Sequence, residues 1–197
     1  MEERVNFVSD GQRLSGILHL PEGRAPEERR AAFAVLHRFG SNKDGGGGTA
    51  MAKMLAGLGY AALRFDFRGC GESEGERGRV ICMEQVKDTR NALSFLATRA
   101  EIDLRRIGVV GQSFGAAVAV YAAGVDRRVA ACISSGGWGD GLKKFRKQHA
   151  SARAWLSPLP RNPVHGARAD LSMRENHPRR FRRPRQPPAV CGRANGR

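Results

Sequence analysis

Lysine is missing from the last 47 residues of this 197-residue chain, and acids are nearly missing too. Residues 151–197 hold eleven arginines against only Asp170 and Glu175, a formal +9 of the chain's +15. The first 150 residues carry the remaining +6 and read as an ordinary, mildly basic globular sequence. Cysteine is scarce. Cys70, Cys82, Cys132 and Cys191 form no C-x-x-C pair and no metal-ligand spacing, which argues against a zinc module or a dithiol redox centre. Free thiols suit a reducing compartment. Cys132 lies in an apolar run and is expected as a small core residue. No apolar run approaches the length of a membrane span. Met1-Glu2-Glu3-Arg4 is charged and no apolar run follows it, so no signal peptide is read there and the cytoplasm is the expected location. Nucleotide fingerprints are lacking as well. Asp44-Gly45-Gly46-Gly47-Gly48-Thr49 has no G-K-[ST] ending, and its acid would repel phosphate. Gly69-Cys70-Gly71 has no third glycine opening a helix. No cofactor or metal is expected.

What is present is one domain's worth of alternating elements. Val5–Val8 and Arg13–His19 flank the turn Ser9-Asp10-Gly11-Gln12 and predict an opening hairpin. Pro21 to Arg30 reads as a polar loop. Ala31 to Leu36 is a buried-strand run ending at His37, and a glycine-rich loop follows. Thr49 is placed to cap a helix running to about Leu58, with Gly59 as its stop. Tyr60–Phe65 predicts a strand, and Asp66 to Arg79 a long loop. Met83, Val86, Leu93 and Leu96 give helical spacing over residues 82–99. Arg106–Val110 and Val129–Ser134 read as further buried strands. Such alternation favours a mostly parallel sheet covered on both faces, with ligands bound beyond the carboxyl ends of the strands. His37, Asp66, Ser113 and Ser134 all fall at those ends.

The most informative stretch is Gly111-Gln112-Ser113-Phe114-Gly115, which reads G-x-S-x-G. An apolar strand run enters it and the Ala-rich run Ala116–Ala123 leaves it, the setting of a nucleophile elbow. This tight strand-to-helix turn holds its serine in a sparsely populated backbone conformation, and the flanking glycines let strand and helix approach. Ser113 Oγ would then stand at the positive end of a helix, with the Phe114 N–H facing a developing oxyanion.

Together with three further motifs, the elbow resembles the α/β-hydrolase superfamily, in its dienelactone-hydrolase and serine-aminopeptidase-like part. Leu36-His37-Arg38-Phe39-Gly40-Ser41-Asn42-Lys43 is similar to the H-G-x-x-G-S oxyanion loop. Asp66-Phe67-Arg68-Gly69-Cys70-Gly71-Glu72-Ser73 is similar to a D-x-R-G-x-G-x-S stretch. A helix around Asp88 and Ala92 precedes the elbow strand. The resemblance covers roughly residues 5–147. It implies a three-layer α/β sheet, mostly parallel after an antiparallel hairpin, with Ser113 as nucleophile and the Phe39 and Phe114 backbone N–H groups as oxyanion donors. It further implies acyl-enzyme chemistry on small-molecule ester or amide substrates. His37 matches the loop histidine, a structural group. Asp66 reads as a loop-organising acid bonded to backbone amides or to Arg68, in preference to a catalytic carboxylate.

The chain departs from that pattern in two places. Arg38 stands where the family has glycine, so its side chain is expected to narrow the loop or to forbid a positive φ. The reading reaches six strands of the usual eight, so the sheet is incomplete on its C-terminal side and the triad acid and histidine are unassigned. Residues 1–147 are read as a partial hydrolase domain and 148–197 as a basic tail. With seven of the nine prolines falling in residues 151–197, that tail is expected to be disordered. His149, His165 and His177 are read as solvated, and none follows a strand run. A frameshifted or truncated copy of a GC-rich gene would produce such a tail. Eleven arginines with Trp155 and Phe181 could instead bind nucleic acid or an anionic surface through phosphates. The enzyme reading is preferred, because a tail of accidental origin would also be basic.

Overall fold

The computed structural model describes residues 1–23, 29–141 and 143. The expectations for residues 148–197, including His149, His165, His177, Asp170 and Cys191, lie outside the described residues. Strands β1 (Glu2–Ser9) and β2 (Gln12–His19) form the opening hairpin, with Asp10 and Gly11 at positive φ in its turn. Strand β3 (Arg30–Leu36) is followed by helix α1 (Gly46–Gly57) and strand β4 (Ala61–Phe65). Helix α2 (Cys82–Ala97), strand β5 (Ile102–Gln112), helix α3 (Phe114–Val125) and strand β6 (Val129–Ser135) complete the described elements.

The six strands form one sheet in the order β1-β2-β4-β3-β5-β6. Strands β4, β3, β5 and β6 run parallel, and the hairpin joins antiparallel through β2 and β4. Period-2 alternation inside the buried strands makes the three layers. Phe33, Val35, Ala62 and Val110 face Ala52 and Leu55 of α1. Ala32, Ala34, Leu36, Leu63, Phe65, Ile107 and Val109 belong to the opposite cluster, with Leu93 and Leu96 of α2 and Val118, Ala119 and Ala122 of α3. Each fully buried Leu or Val of these clusters contributes about 1.5–3 kcal/mol of burial free energy. Phe7 ties the hairpin to the core, edge-to-face on Phe65 at 5.4 Å and stacked on Phe95 at 5.5 Å.

Two local expectations are corrected. Thr49 does not cap α1. The helix begins at Gly46 with Gly45 as N-cap, and the Thr49 N–H already donates to the Gly45 carbonyl at 3.1 Å. Gly59 does stop the helix, at φ +88°, with its N–H donating to Ala56 O. Strand β6 is not buried, and Cys132 is exposed rather than in the core. The reason is position: β6 pairs with β5 on one side and with no other strand among the described residues.

Candidate active site

Parallel pairing of β3, β4, β5 and β6 brings His37, Asp66, Ser113 and Ser134 to the same edge of the sheet. Ser113 follows the last residue of β5 and precedes the first of α3, at φ 54° and ψ −115°. Among the described residues, Asp10 is the other non-glycine residue with positive φ. Such a conformation costs about 1–3 kcal/mol and persists only where surrounding structure imposes it. Here the constraints are visible. The Ser113 N–H donates to Ser135 O of β6 at 2.8 Å, and Ser113 O accepts from the Ala116 and Ala117 amides. A Cβ on Gly111 would run into the Gly115 carbonyl, and one on Gly115 would run into the Leu36 and His37 carbonyls. Only glycine lets β5, α3 and the end of β3 meet this closely. A serine at a helix start ordinarily spends its hydroxyl capping the helix, yet Ser113 makes no such bond. Its Oγ is left for other chemistry.

Phe114 is the first residue of α3, so its N–H has no acceptor within the helix. Phe39 lies in a tight turn closed by the Ser41 N–H on Arg38 O at 3.2 Å, with Gly40 at φ +65°. Positive φ at the third position selects glycine there and leaves the Phe39 N–H outside the closing bond. The Phe39 and Phe114 rings meet edge-to-face at 5.9 Å, which holds the turn against the elbow. Arg38 is exposed, and it is absent from the positive-φ positions. The turn places its positive φ at Gly40, so a side chain at residue 38 is accommodated.

His37 is buried. Its Nε2 accepts the Phe67 N–H at 3.3 Å, so its proton sits on Nδ1 and is donated to Arg38 O at 2.9 Å. Burial pushes its pKa below the ordinary value, against the pull of the Arg38 carbonyl and Asp66. It is therefore a neutral link between the two loops, with both ring nitrogens engaged. His19, also buried, accepts from Arg64 Nε at 2.8 Å. Burial lowers its pKa first, opposed by Glu2.

Asp66 is fully buried and accepts the Lys43 and Glu72 amides and the Lys43 ammonium, at 2.9 Å for the last. This is the loop-organising role, filled by the first of the two expected partners, the backbone amides. Arg68 does not reach Asp66 but forks onto Asp88 of α2 at 2.6 and 2.9 Å, with Asp10 at 3.1 Å. Asp88 is buried and also takes the Ser9 hydroxyl, so it pins hairpin, loop and helix together. Lys43 was not legible as a site residue. Its side chain is 3% exposed, and its ammonium bridges Asp66 and Glu72 at 2.9 and 2.8 Å. Burial alone would lower its pKa, but bonds to Glu72 and Asp66 outweigh that and raise it. The available signal was a lone lysine closing the 36–43 stretch, set against the two acids of 66–73. Lysine is so commonly a surface residue that the pairing was not apparent.

Comparison with known proteins bears on the family and the fold. The family model described as "Serine aminopeptidase, S33" matches residues 27–196. The chain is 35% identical over 139 residues to the quorum-quenching protein AidA of Acinetobacter baumannii, covering 70% of this chain and 44% of that protein. It is 36% identical over 132 residues to the thiohydrolase aneE of Aspergillus aculeatus, covering 66% and 40%. Among solved structures, the α/β-hydrolase GrgF of Penicillium sp. sh18 superimposes with a TM-score of 0.66 at 26% identity, over 81% of this chain and 57% of that one. The chain thus spans under half the length of these two curated relatives. No helix among the described residues is long and apolar enough to cross a membrane.

Proposed function

The chain belongs to the serine aminopeptidase family of α/β-hydrolases, and on that footing we propose that it is a serine hydrolase fold whose nucleophile is Ser113. Oγ attacks the carbonyl carbon of a small ester or amide, and the backbone N–H groups of Phe39 and Phe114 receive the developing oxyanion. The observation that carries this reading is the strained backbone of Ser113 at a strand-to-helix turn, with its hydroxyl left out of helix capping. The free thiols Cys70, Cys82 and Cys132 fit a cytoplasmic setting. Treatment with a fluorophosphonate followed by peptide mapping tests the nucleophile: the adduct is expected on Ser113, and an adduct on another residue instead overturns the assignment.

Turnover is a separate matter, because a serine hydroxyl without a base is a poor nucleophile at neutral pH. Of the described histidines, His37 has both ring nitrogens engaged, and His19 on β2 is held by Arg64 of β4. We therefore expect this chain, as written, to hydrolyse p-nitrophenyl esters feebly or not at all. Loss of a triad member removes several orders of magnitude in rate and leaves only oxyanion and binding contributions. Robust turnover that disappears in Ser113→Ala, and also when His149, His165 or His177 becomes alanine, would refute this and name the base.

A further inference from the structure

Beside Ser113 stand three rings, two of them on the residues whose backbone N–H groups are the proposed oxyanion donors. Phe114, next in sequence, is buried between Phe39 at 5.9 Å and Trp138 at 6.0 Å. Trp138 is brought there by the chain leaving β6. Ser135 O holds the Ser113 N–H, Gly136 turns at φ +67°, and Gly137 lies so close to α3 that a Cβ would touch Ala116 at 3.0 Å. The indole is thereby laid against the first residue of α3. Phe39 arrives from the other side on its tight turn, with 49% of its surface open. Phe114, the residue after the nucleophile, is thus the middle ring of three, and Phe39 is the exposed end of the row.

We propose that Phe39, Phe114 and Trp138 form an aromatic wall that selects esters whose acyl group carries a flat, arene-type ring. This rests on Ser113 being the nucleophile, which puts the ester carbonyl next to the wall. A half-exposed phenylalanine side chain gains by burial under any apolar group, but the geometry here favours a ring. The wall is already built of an edge-to-face contact at 87° and a tilted one at 39°. An arriving arene continues that pattern, and aromatic pairs are worth about 0.5–1.5 kcal/mol beyond area burial. A phenylacetate ester should therefore bind about two- to twelvefold more tightly than the cyclohexylacetate ester of similar area.

Binding can be read without turnover in the full-length Ser113→Ala, Trp155→Phe double variant, where Trp138 is the remaining tryptophan. Methyl 4-nitrophenylacetate should quench Trp138 emission saturably. Methyl phenylacetate should displace it at about two- to twelvefold lower concentration than methyl cyclohexylacetate. Adding Phe39→Leu should bring the two competitors level, and adding Phe39→Tyr, which keeps the ring, should preserve the gap. Non-saturating quenching, equal displacement by both esters, or a gap unchanged by Phe39→Leu would overturn the wall. If Ser113 is not the nucleophile, that failure appears in phosphonate labelling and leaves this binding result standing on its own.

Discussion

Strands β3 and β6 are both seven residues long, and neither carries a charge beyond Arg30, yet their environments are opposite. Every residue of β3 after Arg30 is buried, whereas every residue of β6 after Val129 is exposed. The difference lies in the neighbours. Strand β3 sits between β4 and β5, with α1 on one face and the cluster of α2 and α3 on the other. Strand β6 has β5 on one side only among the described residues. An uncharged apolar run therefore specifies an extended segment that can enter a parallel sheet. Whether it is covered depends on elements that come from other parts of a chain.

The buried charged residues of the covered half, Lys43, Arg64, Asp66 and Asp88, are all paired, and Lys43 is the least exposed cation among them. Lys43→Met keeps the length of the side chain but leaves Asp66 buried without its counter-ion. Breaking such a pair from one side costs about 3–5 kcal/mol. Urea denaturation should show a loss of that size. A loss below about 1 kcal/mol would mean that water reaches the pair and that the β4 side is less closed than its burial indicates.

The comparison itself is tested by matched truncations. Leu93 is fully buried in α2, so Leu93→Ala should cost about 2–5 kcal/mol through lost transfer energy and a residual cavity. Ile133, 45% exposed at the centre of β6, should lose under about 1 kcal/mol on the same kind of change. Equal losses at the two sites would show that β6 is covered in solution and would dissolve the contrast between the strands.

Much of this architecture was readable from residue types, for reasons that also mark where reading stops. The elbow was legible because G-x-S-x-G was flanked by a strand run and an Ala-rich run, and the two glycines are required by backbone contacts at Leu36, His37 and Gly115. The three layers followed from apolar runs alternating with helical spacing. The exposure of Cys132 was not legible, since an apolar run carries no information about what pairs beyond it. Sequence places the start of α1 too late because a cap needs only a chain that can turn, and Gly45 supplies that four residues before Thr49. The Arg68–Asp88 fork and the Lys43–Asp66 pair join elements twenty or more residues apart. Short-range pattern gives charge and spacing, whereas such partnerships arise only when strand order brings the loops together.

The smallest expected effect on stability is also the one that speaks most directly to the open edge. Among the described residues no strand pairs with the outer edge of β6, which is free of charge and proline, the kind of surface on which another chain can add a strand. Natural edges are often blunted by a lysine, so Ile133→Lys should act mainly on association. Its unfolding free energy should stay within about 0.5 kcal/mol of the parent, because a half-exposed side chain gives up little burial and a lysine can keep its stem on the sheet. Its light-scattering onset should move to higher protein concentration than that of the parent chain. Two results would count against an open edge: an unchanged onset, or a stability loss of the size expected for Leu93→Ala. The second would be the more telling, since it would mean that Ile133 is packed against something in solution and that β6 resembles β3 after all.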